Sequence, residues 1–239
     1  MKRSAVTALL AARLDARGLD TAAAGALATL LHCLEPPTAP TSVHDPREGI
    51  DVHVSDSLSG LEVPELRSAA IVADLGAGGG LPGLVLAAVL PRARVVLIES
   101  QNRKCAFLCD AADAMGLANV EIVCARVEEW REGADLCEAV TARALASLPV
   151  VVEYAAPLLR PGGTLVAWKG EVAREEADDG IAAARLLGLE LLPPQPVRPF
   201  AGSERRTLHV ARKVAPTPAG YPRRPGMASK RPLSVKNVR

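Results

Sequence analysis

The residues best placed for chemistry surround a stretch of unusually bare backbone. In "VADLGAGGGLPG", residues 72–83, four glycines fall within five positions directly after an apolar run. Asp74 lies at the end of that run, and Gly76, Gly78 and Gly80 follow at alternate positions. Such a loop lets a cofactor approach the main chain with no Cβ in the way. Glu99, closing "VVLIE", lies about one strand–helix unit later, and a carboxylate there can accept both hydroxyls of a ribose. Two cofactor classes fit. A dinucleotide would rest its pyrophosphate on the following helix N-terminus. S-adenosylmethionine (SAM) carries no phosphate; Asp74 would organise the loop and accept from its ammonium.

The glycine frames differ between the two. Gly78, Gly80 and Gly83 spell G-x-G-x-x-G, but the strand ends near Asp74 or Leu75, so that frame starts late for a dinucleotide fingerprint. Shifted back to Gly76 and Gly78, it puts Leu81 where the third glycine belongs. The frame Asp74-x-Gly76-x-Gly78-x-Gly80 favours SAM, with the helix N-terminus after Gly80 facing the methionine carboxylate. An NAD-dependent oxidoreductase is the alternative.

The elements that must hold these groups are legible in the pattern. "AAIVADLG", "ARVVLIES", "NVEIVCA", "CEAVTARA" and "GGTLVAWKG" read as strands, separated by helical stretches at 81–90, 102–116, 147–159 and 171–187. Such alternation implies a parallel sheet covered on both faces. Two further strand candidates, 188–198 and 206–213, complete an α/β, Rossmann-like, seven-stranded, mostly parallel sheet. Residues 1–64 form an N-terminal helical region, 65–213 the SAM-binding core and 214–239 a basic tail. In the first region "DPREGIDVHVSDSLSG" reads as a helix, with Asp45 as N-cap and Pro46 at the first helical position. His53 and Asp56 share a face of it. The tail has six Lys/Arg, no acid and five prolines, the composition of an extended segment rather than a folded unit.

Composition narrows the classes. The chain has 239 residues, 49% of them hydrophobic, and a net charge of +1. It can bury a full core and is no uniformly basic RNA coat. The five cysteines are odd in number and lack C-x-x-C spacing, so they read as small core residues in a reducing cytosol, with no metal site. The N-terminus lacks the pattern of a signal peptide and no segment reaches a membrane span. A cytoplasmic monomer with no membrane contact is expected.

In order along the chain stand "TSVHDP", "HVSDS", "DLGAGGGLPG", "LIESQNRKCAFL", "CARVEEW", "TARALASL", "AWKG" and "YPRRPGMASKRPL". Together they resemble the RsmG (GidB) family, from about residue 41 to the end. The resemblance implies a class I methyltransferase that transfers a methyl from SAM to guanine N7 in 16S RNA of the small ribosomal subunit. It puts cofactor contacts at Gly76, Leu81, Val127, Glu128 and Arg143, with Glu99 at the ribose, beside Asp74 and Gly78 from the glycine frame. It lines the RNA cleft with Lys104, Arg126, Arg143 and Lys169. Arg143 and Lys169 would position the reactants, and no side chain is singled out as catalytic. In the tail, Arg223, Arg224, Lys230 and Arg231 would bind phosphates. Deleting 214–239 should then flatten the salt dependence of RNA binding and spare SAM affinity. The departures cluster at the N-terminal side: Leu34, Ala39 and Pro40 ahead of "TSV", His44 before Asp45, and Val52 before His53. They leave two alternatives: a SAM enzyme with a different substrate, or a non-catalytic RNA-binding assembly factor.

Overall fold

The computed structural model describes residues 2–238. Helix α1 (Arg3–Asp15) buries Val6, Leu10 and Leu14, spaced by four on one face. Helix α2 (Ala24–Leu34) buries Leu27, Leu30, Leu31 and Leu34. Asp45 caps α3 (Pro46–Gly49), accepting from the Arg47 amide at 2.7 Å. The single helix expected beyond it is broken. A π-helical turn runs over Ile50–Ser55, followed by α4 (Asp56–Leu58), a 3₁₀ turn over Ser59–Glu62 and α5 (Pro64–Arg67). Side chains compete for its carbonyls. Ser57 Oγ donates to His53 O at 2.6 Å, Trp168 Nε1 to Asp56 O at 2.8 Å and Arg143 to Val52 O at 3.1 Å.

The alternating region follows: β1 (Ile71–Leu75), α6 (Gly83–Val89), β2 (Arg94–Glu99), α7 (Asn102–Met115), β3 (Val120–Cys124), β4 (Cys137–Arg143), α8 (Leu148–Ala155), β5 (Leu159–Lys169) and α9 (Arg174–Leu186). Then come β6 (Leu189–Leu191), β7 (Gln195–Val197), β8 (Arg206–Lys213) and α10 (Met227–Lys230). The sheet runs β3-β2-β1-β4-β5-β8-β6, with β7 also paired to β8. The first five strands are parallel, and β8 is antiparallel to β5, β6 and β7. The sheet has eight strands rather than seven. Pro193 and Pro194 split the run 188–198 in two, because neither can donate to a ladder.

Strand residues alternate between two apolar cores. Val72, Val95, Leu97 and Val166 pack with α1, α2, α6 and α7. Ala73, Val96, Ile98, Val140 and Leu165 pack with α8 and with Ala183 and Ala184 of α9. Both faces are covered, so strands such as "VVLI" are apolar throughout.

Two expectations are overturned. The C-terminal segment is folded: Ala228 and Leu233 are buried in the second core. Arg223 forks onto Glu153, Nε to Oε1 at 2.9 Å and Nη2 to Oε2 at 2.6 Å, and its amide donates to Oε1 at 3.1 Å. Lacking an acid of its own, the segment uses the lone acid of apolar α8. Second, Cys105 and Cys124 form a disulfide between α7 and the end of β3, with Cα atoms 5.8 Å apart. Cys33, Cys109 and Cys137 are free. Among the described residues no helix is long and apolar enough to cross a membrane.

Candidate cofactor site

Strand order reverses between β1 and β4, and open α/β sheets bind ligands at the carboxyl ends of strands at such a point. A cavity of about 320 Å³ opens there, its wall including Gly76, Glu99, Gln101, Lys104, Val127 and Glu128. Gly76 has φ +63°, and a Cβ on it would fall 2.5 Å from Leu145 Cδ1. Both facts require glycine at this point of the wall.

Asp74 lies beneath the loop rather than in the wall. It pairs in register with Thr141 of β4. Its Oδ1 accepts from the Thr141 hydroxyl at 2.8 Å and its Oδ2 from the Gly83 amide at 3.0 Å. Burial pushes its pKa up to about 6, against the pull of those hydrogen bonds and of Arg143. A Cβ on Gly83 would lie 2.2 Å from Leu97 Cδ2 and 2.8 Å from Asp74 Oδ2, so the glycine lets strand and helix meet. The first amide of α6 is therefore occupied by a carboxylate. A pyrophosphate there would face an acid, so the loop suits a cofactor without phosphate. The same contact corrects the expectation that this helix end faces the methionine carboxylate.

Glu99 is buried at the tip of β2. Its Oε1 accepts from the Ser100 and Gln101 amides at 2.8 and 2.9 Å, and its Oε2 from the Gly78 amide at 3.1 Å. Of about four lone-pair positions three are filled, which leaves one for a hydroxyl rather than the two expected. Gly78 thus acts through its amide, fixing the carboxylate. A cavity presenting that acceptor over a Cβ-free wall fits the adenosine portion of SAM.

The remaining predicted residues separate into groups. Val127 and Glu128 are in the cavity wall, as are Lys104 and Arg126. Leu81 is outside it, packed against the first core, with a cis peptide bond to Pro82. Arg143 Nη1 donates to Asp56 Oδ2 at 2.9 Å and to Val52 O at 3.1 Å. Burial lowers the Arg143 pKa and Asp56 opposes the shift. Arg206 Nε stands 3.5 Å from the other oxygen of Asp56. Arg143 therefore ties the N-terminal region to the end of β4. His53 does not pair with Asp56; its Nε2 lies 3.0 Å from Val43 O and 3.2 Å from Thr41 Oγ1. Lys169 Nζ donates to Ala146 O at 2.9 Å and pairs with Glu176 at 2.7 Å. Arg224, Lys230 and Arg231 line a separate cavity of about 450 Å³. Arg223, spent on Glu153, leaves the RNA set. Sequence reasoning missed Gln101, Tyr154 and Ser229, which also line the cofactor cavity. The isolated Glu153 in an apolar run was the available signal that the tail docks beside it.

Fold and site together define a class I methyltransferase that uses SAM. A solved structure of 1,6-didemethyltoxoflavin-N1-methyltransferase from Burkholderia thailandensis, holding S-adenosylhomocysteine, shares the fold at a TM-score of 0.52 and 19% identity, covering 73% of this chain and 84% of that one. Residues 23–193 match the family model GidB, described as rRNA small subunit methyltransferase G, and the chain belongs to that family. Ribosomal RNA small subunit methyltransferase G of Rubrobacter xylanophilus is 48% identical over 187 residues, 76% of this chain and 72% of that one. The protein of that name from Pelotomaculum thermopropionicum is 40% identical over 197 residues, 81% of this chain and 82% of the other.

Proposed function

We propose that this methyltransferase modifies N7 of a guanine in 16S ribosomal RNA of the small subunit, acting as a cytoplasmic monomer. The observation carrying the reading is the glycine loop whose following helix already gives its first amide, Gly83, to Asp74, in a chain of the GidB family. When bound, SAM supplies an electrophilic methyl group. Guanine N7 has an in-plane lone pair and loses no proton on attack, so the chain need provide no general base. Its contribution is alignment, worth several kcal/mol when reacting atoms are held in line. In this reading Gly76, Glu99, Val127 and Glu128 form the cofactor site, with Gly78 holding Glu99, Asp74 beneath the loop and Leu81 packed behind it in the first core. Arg143 positions the N-terminal region over the cleft through Asp56, and Lys169 steadies the start of α8 through Glu176, whose Oε1 accepts from the Leu148 amide at 2.8 Å. Lys104, Arg126, Arg224, Lys230 and Arg231 face RNA phosphate.

The test is methyl transfer from labelled SAM to small subunits lacking the modification, followed by cleavage specific for N7-methylguanine. Label at one guanine N7 is expected. Label elsewhere would mean a changed substrate. No transfer despite SAM binding would favour an RNA-binding assembly role.

A further inference from the structure

The C-terminal segment reaches the cofactor cavity. Tyr154 and Ser229 both stand in its wall, next to Val127 and Glu128. Their hydroxyl oxygens lie 3.2 Å apart. The Gly226 amide donates to Glu128 Oε1 at 2.8 Å, three residues before Ser229. Gly226 has φ +77°, the left-handed turn that starts α10. Ala228, on the next turn position, is buried against the second core. The Arg223–Glu153 fork anchors the segment upstream and buried Leu233 anchors it downstream.

We infer that this segment is a working wall of the SAM site: α10 closes the adenosine end, with Ser229 and Tyr154 facing the cofactor and the Gly226–Glu128 bond latching the wall in place. The inference rests on the assignment of this cavity to the cofactor. It reverses the sequence-based expectation that residues 214–239 can be deleted without loss of SAM affinity. A chain lacking residues 224–239 keeps Arg223, so Glu153 stays paired, but it loses the latch and Ser229. The open cavity then loses one side. The Glu128 carboxylate, freed from Gly226, returns to water.

Calorimetric titration with SAM tests this on four proteins: the full chain, the chain ending at Arg223, Ser229→Trp and Glu99→Ala. Thermal melts check that each is folded. The truncated chain and Ser229→Trp should each bind SAM at least tenfold more weakly than the full chain. Ser229→Trp decides the matter if the truncated chain does not fold, because it leaves the Arg223 fork, the Gly226 latch and Leu233 in place while filling the wall and removing the hydroxyl that meets Tyr154. Affinity within twofold of the full chain for a folded truncation, or for Ser229→Trp, overturns the inference. Glu99→Ala separates the two layers. If it weakens binding while the tail variants do not, the cavity is the cofactor site and only the wall assignment is wrong. If none of the three weakens binding, the cavity assignment itself fails.

Discussion

Arg223→Ala removes a two-pronged contact from a carboxylate that water does not reach. Glu153 is fully buried, and the fork spans 2.9 and 2.6 Å. Stranding one partner of a buried ion pair costs about 3–5 kcal/mol. Arg223 keeps 23% of its side chain exposed, so solvent can enter where it leaves, and the low end, about 3 kcal/mol, is the expected loss. For a chain of this length that corresponds to roughly 6–12 °C in Tm. Urea unfolding followed by circular dichroism reads the loss directly. Adding Glu153→Gln should recover at least half of it, since the neutral amide is far less costly to strand than a charge. RNA affinity of the folded single variant should keep its wild-type salt slope. A loss below about 1 kcal/mol, with the slope of log K against log salt shallower by about 0.9, would instead put Arg223 on a phosphate and refute the structural reading.

The remaining predictions concern the loop, the disulfide and the basic cavity. A carboxyl whose folded pKa rises from 3.8 to about 6 stays protonated longer when folded, so stability falls as pH rises between those values. The contribution is about 3 kcal/mol; urea midpoints from pH 4 to 7 should show this fall in wild type and not in Asp74→Asn, and parallel profiles would oppose it. Gly76→Ala places a Cβ 2.5 Å from Leu145 in a left-handed conformation, and calorimetry should show SAM affinity reduced at least tenfold. The disulfide closes a loop with a sequence separation of 19, so reduction should cost about 3 kcal/mol, read as a lower urea midpoint that Cys105→Ser/Cys124→Ser reproduces. Replacing Arg224, Lys230 and Arg231 with Ala should lower the salt slope of RNA binding by about 2 to 3; an unchanged slope would remove that cavity from the RNA path.

Local signals carried most of the fold. The continuous apolar strand runs and the helical stretches between them place β1 to β5 and α6 to α9, because each element carries its apolar residues within its own segment. The glycine loop was legible for the same reason: Asp74, Gly76 and Gly83 lie within ten positions. What stayed hidden depends on long-range partners. Composition marked residues 214–239 as unfolded because a short, proline-rich, acid-free segment cannot form a core alone. Its partners, Glu153, Glu128 and Tyr154, lie 70, 98 and 75 residues away from Arg223, Gly226 and Ser229. The broken helix after Asp45 is a similar case. Its spacing is helical, but Trp168 and Arg143, about a hundred residues on, take its carbonyls.

Two arginine–carboxylate pairs hold the appended segments to the sheet. Arg143–Asp56 joins the N-terminal region to the tip of β4 on the first core's side. Arg223–Glu153 joins the C-terminal segment to α8 on the second core's side. A buried ion pair contributes little net stability beside an apolar pair of equal volume, yet losing one partner is costly. Such a pair therefore tolerates only one registry, and both pairs set registry near the edge of the sheet where the cofactor cavity opens. Among the substituted positions Leu34, Ala39, Pro40, His44 and Val52, all before Asp56, Val52 lends its carbonyl to Arg143 and Leu34 is buried in the first core. Leu34 and Pro40 also stand against the glycine loop, where a Cβ on Gly79 would lie 3.0 Å from Pro40 O and 3.5 Å from Leu34 Cδ2. Changes in the N-terminal region therefore bear on the glycine loop as well as on the registry that Arg143 sets.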